Sequence, residues 1–188
     1  TYNVHIASGL LPRVGEIARS TAGGSRAMVV SNTDVAPLYS AAVLESLSAA
    51  GYKTDIHVVE SNETVKNMSE LAFLLEHCAE AELTRDDLVV ALGGGVVGDL
   101  AGFAAATYMR GCKLVQVPTS LLAMVDSSVG GKTAVDLAHG KNLAGAFFQP
   151  RAVVASVEAL DTIAPDLFAD SCGEVIKYGV MSDPGLFV

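Results

Sequence analysis

Apolar residues in this chain gather into two kinds of segment that alternate along its length. Short runs rich in β-branched residues stand at Val4–Ala7, Ala27–Ser31, Asp55–Val59, Leu88–Leu92, Leu114–Val117 and Ala152–Ala155. Near-continuous apolar runs of this length predict strands covered on both faces. Between them, Val35, Leu38, Ala42 and Leu47 mark one helix face that ends at Gly51, and Val65, Met68, Leu71, Leu75 and Cys78 mark a second. A third helix is predicted over Val96–Tyr108. From Pro165 the pattern turns helical again, and Asp183-Pro184 offers a further helix start. Strands alternating with helices in this way predict an α/β fold, a largely parallel sheet with helices on both faces, Rossmann-like in its rhythm.

The 188 residues are 51% apolar and only 18% charged, which favours a large buried core over disorder. Net charge is −9, from 12 Lys and Arg against 21 Asp and Glu. A non-specific nucleic-acid surface is therefore not expected, because that affinity comes from clustered cations. Residues 107–151 differ from the rest: Arg110, Lys113, Lys132, Lys141 and Arg151 face only Asp126 and Asp136. This basic island suits a small anionic ligand, or is simply solvated surface. Cys78, Cys112 and Cys172 are odd in number and lack CxxC spacing, which predicts neither a disulfide framework nor a self-contained zinc site, and fits a reducing cytoplasm. No stretch reaches the roughly 20 apolar residues a bilayer span requires, since Asp99 interrupts the longest, and the start lacks a basic leader region.

The densest chemistry lies between Leu88 and Pro150. A buried-strand signal runs into Gly93-Gly94-Gly95, where backbone amides can approach a ligand that a Cβ would hold off and the next helix turns its positive N-terminus to the same place. Gly93-x-Gly95-x-x-Gly98 matches the dinucleotide fingerprint in form only. It follows about the fourth strand, and Val115-Gln116-Val117-Pro118-Thr119 stands where an acidic residue is due ~20 positions on. A nucleotide site with a different layout is the expectation. Gly94, Gly98 and Gly102 are spaced to share a helix face, open to a phosphate or to another helix. Asp99 is placed for ribose or substrate hydroxyls, or only for the helix dipole. Gly130-Gly131-Lys132-Thr133 ends like a P-loop, but Asp126 occupies the position of its first glycine, which rules that motif out. Asp126 and Lys132 instead face one another across a turn of Ser127, Ser128, Gly130 and Gly131, as an acid and a base for a phosphorylated polyol or as a casual ion pair. Glu174 and Lys177 share a helix face at a spacing common in weak surface pairs. His5, His57, His77 and His139 form no HxxxH or comparable ligand set.

Four strings, GGGVVGDLAGFAAATYMRG (93–111), QVPTSLLAMVDSSVGGKTAVD (116–136), GKNLAGAFFQP (140–150) and GEVIKYG (173–179), together resemble the 3-dehydroquinate synthase family of sugar-phosphate cyclases. Asn32-Thr33-Asp34 and Glu63-x-x-Lys66 resemble that family's adenosine- and ribose-side contacts. The resemblance implies an NAD-binding α/β domain over residues 1–164 and, over 165–188, the start of a C-terminal helical domain that carries most metal and substrate ligands. By position it assigns NAD contacts to Asn32, Thr33, Asp34, Glu63, Lys66, Gly94, Gly95, Val96, Asp99, Thr119, Ser120, Lys141, Ala159, Leu160, Asp161 and Thr162. It assigns catalysis to Asp126, Lys132 and Lys177, and substrate binding to Asn142 and Arg110, the arginine reaching a neighbouring subunit's site in a homodimer. Glu174 is the metal ligand present, and the two histidines that complete a zinc (or cobalt) set are expected beyond Val188. Gly173 stands where Ala is usual in the family and loosens its helix by about 1 kcal/mol.

The reaction so implied belongs to the shikimate pathway of aromatic amino acid biosynthesis. It converts 3-deoxy-arabino-heptulosonate 7-phosphate, a phosphorylated sugar acid, to 3-dehydroquinate and phosphate: NAD oxidises the C5 hydroxyl, phosphate is eliminated, the hydride returns and an aldol step closes the ring. Two rival readings share the glycine-then-aspartate layout, a glycerol-type polyol dehydrogenase and another sugar-phosphate cyclase. A third takes the isolated chain as a non-catalytic nucleotide-binding module, and inactivity of the chain alone is the expectation. No membrane or nucleic-acid partner is expected.

Overall fold

A computed structural model describes residues 1–187. In chain order the strands are β1 (Asn3–Ala7), β2 (Arg26–Asn32), β3 (Lys53–Val59), β4 (Leu88–Gly93), β5 (Lys113–Pro118), β6 (Lys132–Leu137), β7 (Gly140–Phe147) and β8 (Ala152–Ser156). The α-helices are α1 (Val14–Thr21), α2 (Ala36–Ala49), α3 (Met68–Glu80), α4 (Gly95–Thr107) and α5 (Pro165–Met181). Six strands form one parallel sheet in the order β1-β8-β5-β4-β2-β3, while β6 and β7 pair antiparallel as a separate hairpin.

The central strands are buried end to end, and their successive residues feed two different cores. Val29, Val90, Val115 and Val154 point to the side covered by α1 and α2. Met28, Val30, Val89, Ala91 and Leu114 point to the side covered by α3 and α4. A strand buried on both faces gains nothing from polar alternation, which is why these segments read as unbroken apolar runs. Leu88, Leu92, Leu100 and Leu114 are fully enclosed, each contributing on the order of 2 kcal/mol from apolar burial. Local chemistry sets the helix starts. Asn32 Oδ1 accepts the Asp34 and Val35 amides ahead of α2, and Asn67 Oδ1 accepts the Glu70 amide at 2.9 Å as the N-cap of α3.

One carboxylate ties three segments together beneath the sheet. Asp87, 1% exposed, accepts the Ser25 and Arg26 amides on Oδ1 and the Thr84 amide and hydroxyl on Oδ2, all at 2.8 Å. Burial alone would raise its pKa, but these donors outweigh burial and hold it at about 2. Burial pushes the thiols of Cys78 and Cys112 up to about 12.

All six expected strands are the strands of the sheet. The sequence pattern predicts neither helix α1 nor the β6–β7 hairpin, and reads 126–132 as a turn. The hairpin lies on α4, where Gly102 meets the Thr133 side chain so closely that a Cβ would collide with it. Gly102 and Gly98, the latter facing Gln116, are thus packing glycines, and Gly94 alone of the three belongs to the ligand end of the helix. At Asp183-Pro184 the described residues form a short 3-10 turn, Pro184–Phe187. His57 and His77 do meet, Nδ1 to Nδ1 at 3.1 Å, with Glu70 on His57 Nε2. Among the described residues no group of three or more His, Cys, Asp or Glu side chains could hold a metal ion.

Candidate active site

Strand order reverses between β2 and β4: from β2 the chain moves out to β3, and from β4 it moves the other way through β5 to β8. The loops leaving β2 and β4 therefore diverge to opposite faces of the sheet and leave a crevice at their carboxyl ends, the place where open α/β sheets take ligands. A cavity of about 960 Å³ lies there. Asn32, Thr33 and Asp34 line one side, Gly94, Gly95, Val96 and Asp99 another, with Glu63, Lys66, Thr119, Ser120 and Thr162 completing it. At the N-terminus of α4, Gly94 is the N-cap and offers no side chain to the first amides of the helix. Those amides lack intrahelical acceptors by geometry and face the cavity as an anion cradle.

A second cavity of about 470 Å³ adjoins the first and shares Asp99 and Ser127 with it. Asp126, Lys132 and Asn142 line it. Asp126 sits in a π-helical turn, Ala123–Ser127, and Lys132 opens β6. The Lys132 ammonium donates to both Asp126 oxygens, at 3.0 and 3.3 Å. Gly130 and Gly131, at φ +93° and +75°, make the reversal between them that side-chain residues rarely adopt.

Lys66 joins the two cavities. Its side chain is 5% exposed, and its ammonium donates to Asp99 Oδ2 at 2.6 Å and to Asn142 Oδ1 at 2.5 Å. Burial raises the Asp99 carboxyl above its ordinary value, and the bond and charge of Lys66 only partly counter it. Asp99 is therefore a paired, desolvated carboxylate rather than a helix-dipole ornament.

The remaining expected residues stand further off. Lys141 donates to Glu63 Oε1 at 3.1 Å beside the larger cavity. Ala159 is fully buried and acts through its carbonyl, which takes the Tyr39 and Thr162 hydroxyls; Leu160 and Asp161 do not line either cavity. Glu174 and Lys177 form an ion pair on α5. The bond to Glu174 raises the Lys177 pKa, and Asp126 adds a smaller attraction. Arg110 follows the far end of α4, a helix of 13 residues and so roughly 20 Å long; within one chain it does not join the site. Ser127, which the sequence places only in a turn, lines both cavities, and Tyr39, which no sequence pattern singles out, has its hydroxyl 2.5 Å from Thr162 Oγ1. Neither belongs to a recognisable spacing.

A parallel sheet with a glycine-lined crevice at its switch point is the architecture of a Rossmann-like nucleotide-binding domain. Residues 56–170 match the family model described as 3-dehydroquinate synthase N-terminal. The 3-dehydroquinate synthase of Geobacter metallireducens is 49% identical over 187 residues, 100% of this chain and 52% of that protein. Among solved structures, the 2-epi-5-epi-valiolone synthase ValA of Streptomyces hygroscopicus with bound NAD+ and Zn2+ superposes with a TM-score of 0.89 at 26% identity, over 100% of this chain and 51% of that one. A 2-deoxy-scyllo-inosose synthase in complex with carbaglucose-6-phosphate, NAD+ and Co2+ gives 0.86 at 28% identity, over 93% of this chain and 47% of that one. The chain belongs to the 3-dehydroquinate synthase family, and it spans about half the length of the curated relatives it matches.

Proposed function

We propose that the full-length protein is a 3-dehydroquinate synthase, a phosphate-eliminating lyase that turns 3-deoxy-arabino-heptulosonate 7-phosphate into 3-dehydroquinate. The observation that carries this reading is the pair of adjoining cavities with Asp99 in their common wall, one built for a nucleotide and the other holding the Asp126–Lys132 acid–base pair. NAD fits the larger cavity: the uncapped amides of α4 suit its pyrophosphate, and Asn32, Thr33, Asp34 and Glu63 offer acceptors for its hydroxyls. Bound there, NAD supplies reversible hydride transfer with no net redox change. Lys132 offsets the substrate's phosphate charge and, with Asp126, holds a proton at the reacting face. Asn142 orients the sugar acid.

Among the described residues no cluster of three or more His, Cys, Asp or Glu side chains is placed to hold a metal by itself. In this reading Glu174 and Lys177 belong to a helical domain that begins near Pro165, and the other ligands to zinc or cobalt come from the part of the protein that the longer relatives carry. Leu167, Ile176, Val180 and Met181 on α5 are more than half exposed, an apolar face suited to such packing. Arg110 completes the site of the other subunit in a cytoplasmic homodimer.

The test is calorimetric titration with NAD together with phosphate release from the heptulosonate substrate in the presence of zinc. The reading expects the 188-residue chain to bind NAD without turnover and the full-length protein to release phosphate with no accumulation of NADH. Net NADH production from a polyol would replace it with a dehydrogenase.

A further inference from the structure

Lys141 and Asn142 are consecutive residues of β7, yet both reach the same short segment: Lys141 bonds Glu63, and Asn142 bonds Lys66. In a regular strand adjacent side chains point to opposite faces. The hairpin resolves this with an irregularity. Val135 pairs with Ala144 and Leu137 with Gly140, so Lys141, Asn142 and Leu143 stand opposite the single residue Asp136. Such bulges re-aim side chains next to sites. Within the bulge Asn142 takes the left-handed conformation, φ +58°, which costs free energy even for asparagine. Asp136 meets that cost directly: its Oδ1 accepts the Asn142 amide at 2.7 Å. The Asp136 backbone N–H in turn donates to the Lys66 carbonyl at 2.8 Å, so the backbone of Lys66 and the residue that grips its ammonium are registered by one residue, through its main chain and its carboxylate respectively.

We infer that Asp136 is a positioning residue, which locks Asn142 in its left-handed bulge conformation and so fixes the Asn142 amide oxygen on Lys66 at the junction of the two cavities. This rests on the reading of the smaller cavity as the substrate site. Asp136 itself lines neither cavity and acts only through Asn142. An amide oxygen at position 136 would still accept the Asn142 N–H, whereas a methyl group would not.

The test uses the full-length protein with Asp136→Ala, Asp136→Asn, Asn142→Ala and the Asp136→Ala/Asn142→Ala pair. Phosphate release is measured against heptulosonate concentration, and NAD affinity by calorimetry. Asp136→Ala should raise the substrate KM by about tenfold with a smaller change in kcat, the size expected for one lost charge-assisted bond. Asp136→Asn should stay within about threefold, NAD affinity should hardly move, and the double variant should be no worse than Asn142→Ala alone, because contacting residues in one chain of action do not add. Multiplicative effects in the pair, an Asn variant as poor as the Ala variant, or a lowered Tm with unchanged KM would each overturn the inference. Hydrogen exchange at the Asn142 amide tests the lock without turnover: protection should persist in Asp136→Asn and fall in Asp136→Ala by about tenfold or more. Equal protection in both variants overturns the lock, and a wild-type protein that releases no phosphate overturns the assigned reaction instead.

Discussion

Asp126 and Lys132 close on one another at 3.0 Å although one sits in a π-helical turn and the other begins a strand. The lysine side chain is 55% exposed and the aspartate 31%, so the pair adds little to stability in water. Its value is chemical. Lys132→Ala in the full-length protein should lower phosphate release by at least about a hundredfold while leaving NAD affinity nearly intact and stability within about 0.5 kcal/mol. Loss of NAD binding in step with turnover would remove Lys132 from the substrate side.

Asp87 gives the fold an acid-sensitive anchor. Its carboxyl lies at about 2 in the folded chain against an ordinary 3.8, so the stabilisation is complete above the ordinary value and is lost as pH falls through 3.8 towards 2. A shift of this size corresponds to about 2–3 kcal/mol. Urea denaturation should find Asp87→Asn less stable than wild type by at least that much at pH 7, since the new amide NH2 would face the Thr84 donors, and the gap should narrow by pH 3. A gap that does not change with pH would refute the linkage.

Gly102→Ala should destabilise the protein by about 1–3 kcal/mol, because the added methyl drives into Thr133 in a close-packed interface. Thr133→Ser removes the colliding methyl but keeps the hydroxyl that donates to Ala146 O at 2.8 Å. The double variant should therefore recover much of the loss in thermal melts. No recovery would mean that α4 and the hairpin do not meet at this point.

The three cysteines should separate by reactivity. Cys78 and Cys112 are buried with thiols at about 12, whereas Cys172 is partly exposed on α5. At pH 8 a thiol reagent should modify Cys172 rapidly and the other two only after denaturation. Fast labelling of two or more thiols in the folded chain would contradict the burial of these side chains.

The sheet was legible because unbroken apolar runs such as Leu88–Leu92 serve two cores at once, a pattern with few alternatives. The hairpin was not. Its segments contain Gly140 and Gly145, and Gly145 is required because the Thr133 carbonyl and Ala134 press on it from the paired strand, a tertiary cause that no local pattern carries. The same holds within the site. Gly94, Gly95 and Asp99 announce themselves by spacing, but the lysine that binds Asp99 lies 33 residues before it, and that lysine's asparagine partner is 76 residues from the lysine. Family resemblance singled out Lys66, Asp99 and Asn142; only the folded chain joins them. Asp136 reads in sequence as an unremarkable charge and gains its place from the bulge opposite it.

The pairing of β1 with β8, Asn3 against Ala152, gives this sheet a history as well as a shape. In this sheet β1 has one neighbour, and about 150 residues of chain are made between the two strands. At roughly 5–20 residues per second, β1 spends on the order of ten seconds as an unpaired edge carrying Val4 and Ile6, which stay exposed even in the finished fold. Slow synonymous codons ahead of Ala152 would lengthen that wait and lower soluble yield without altering a single residue.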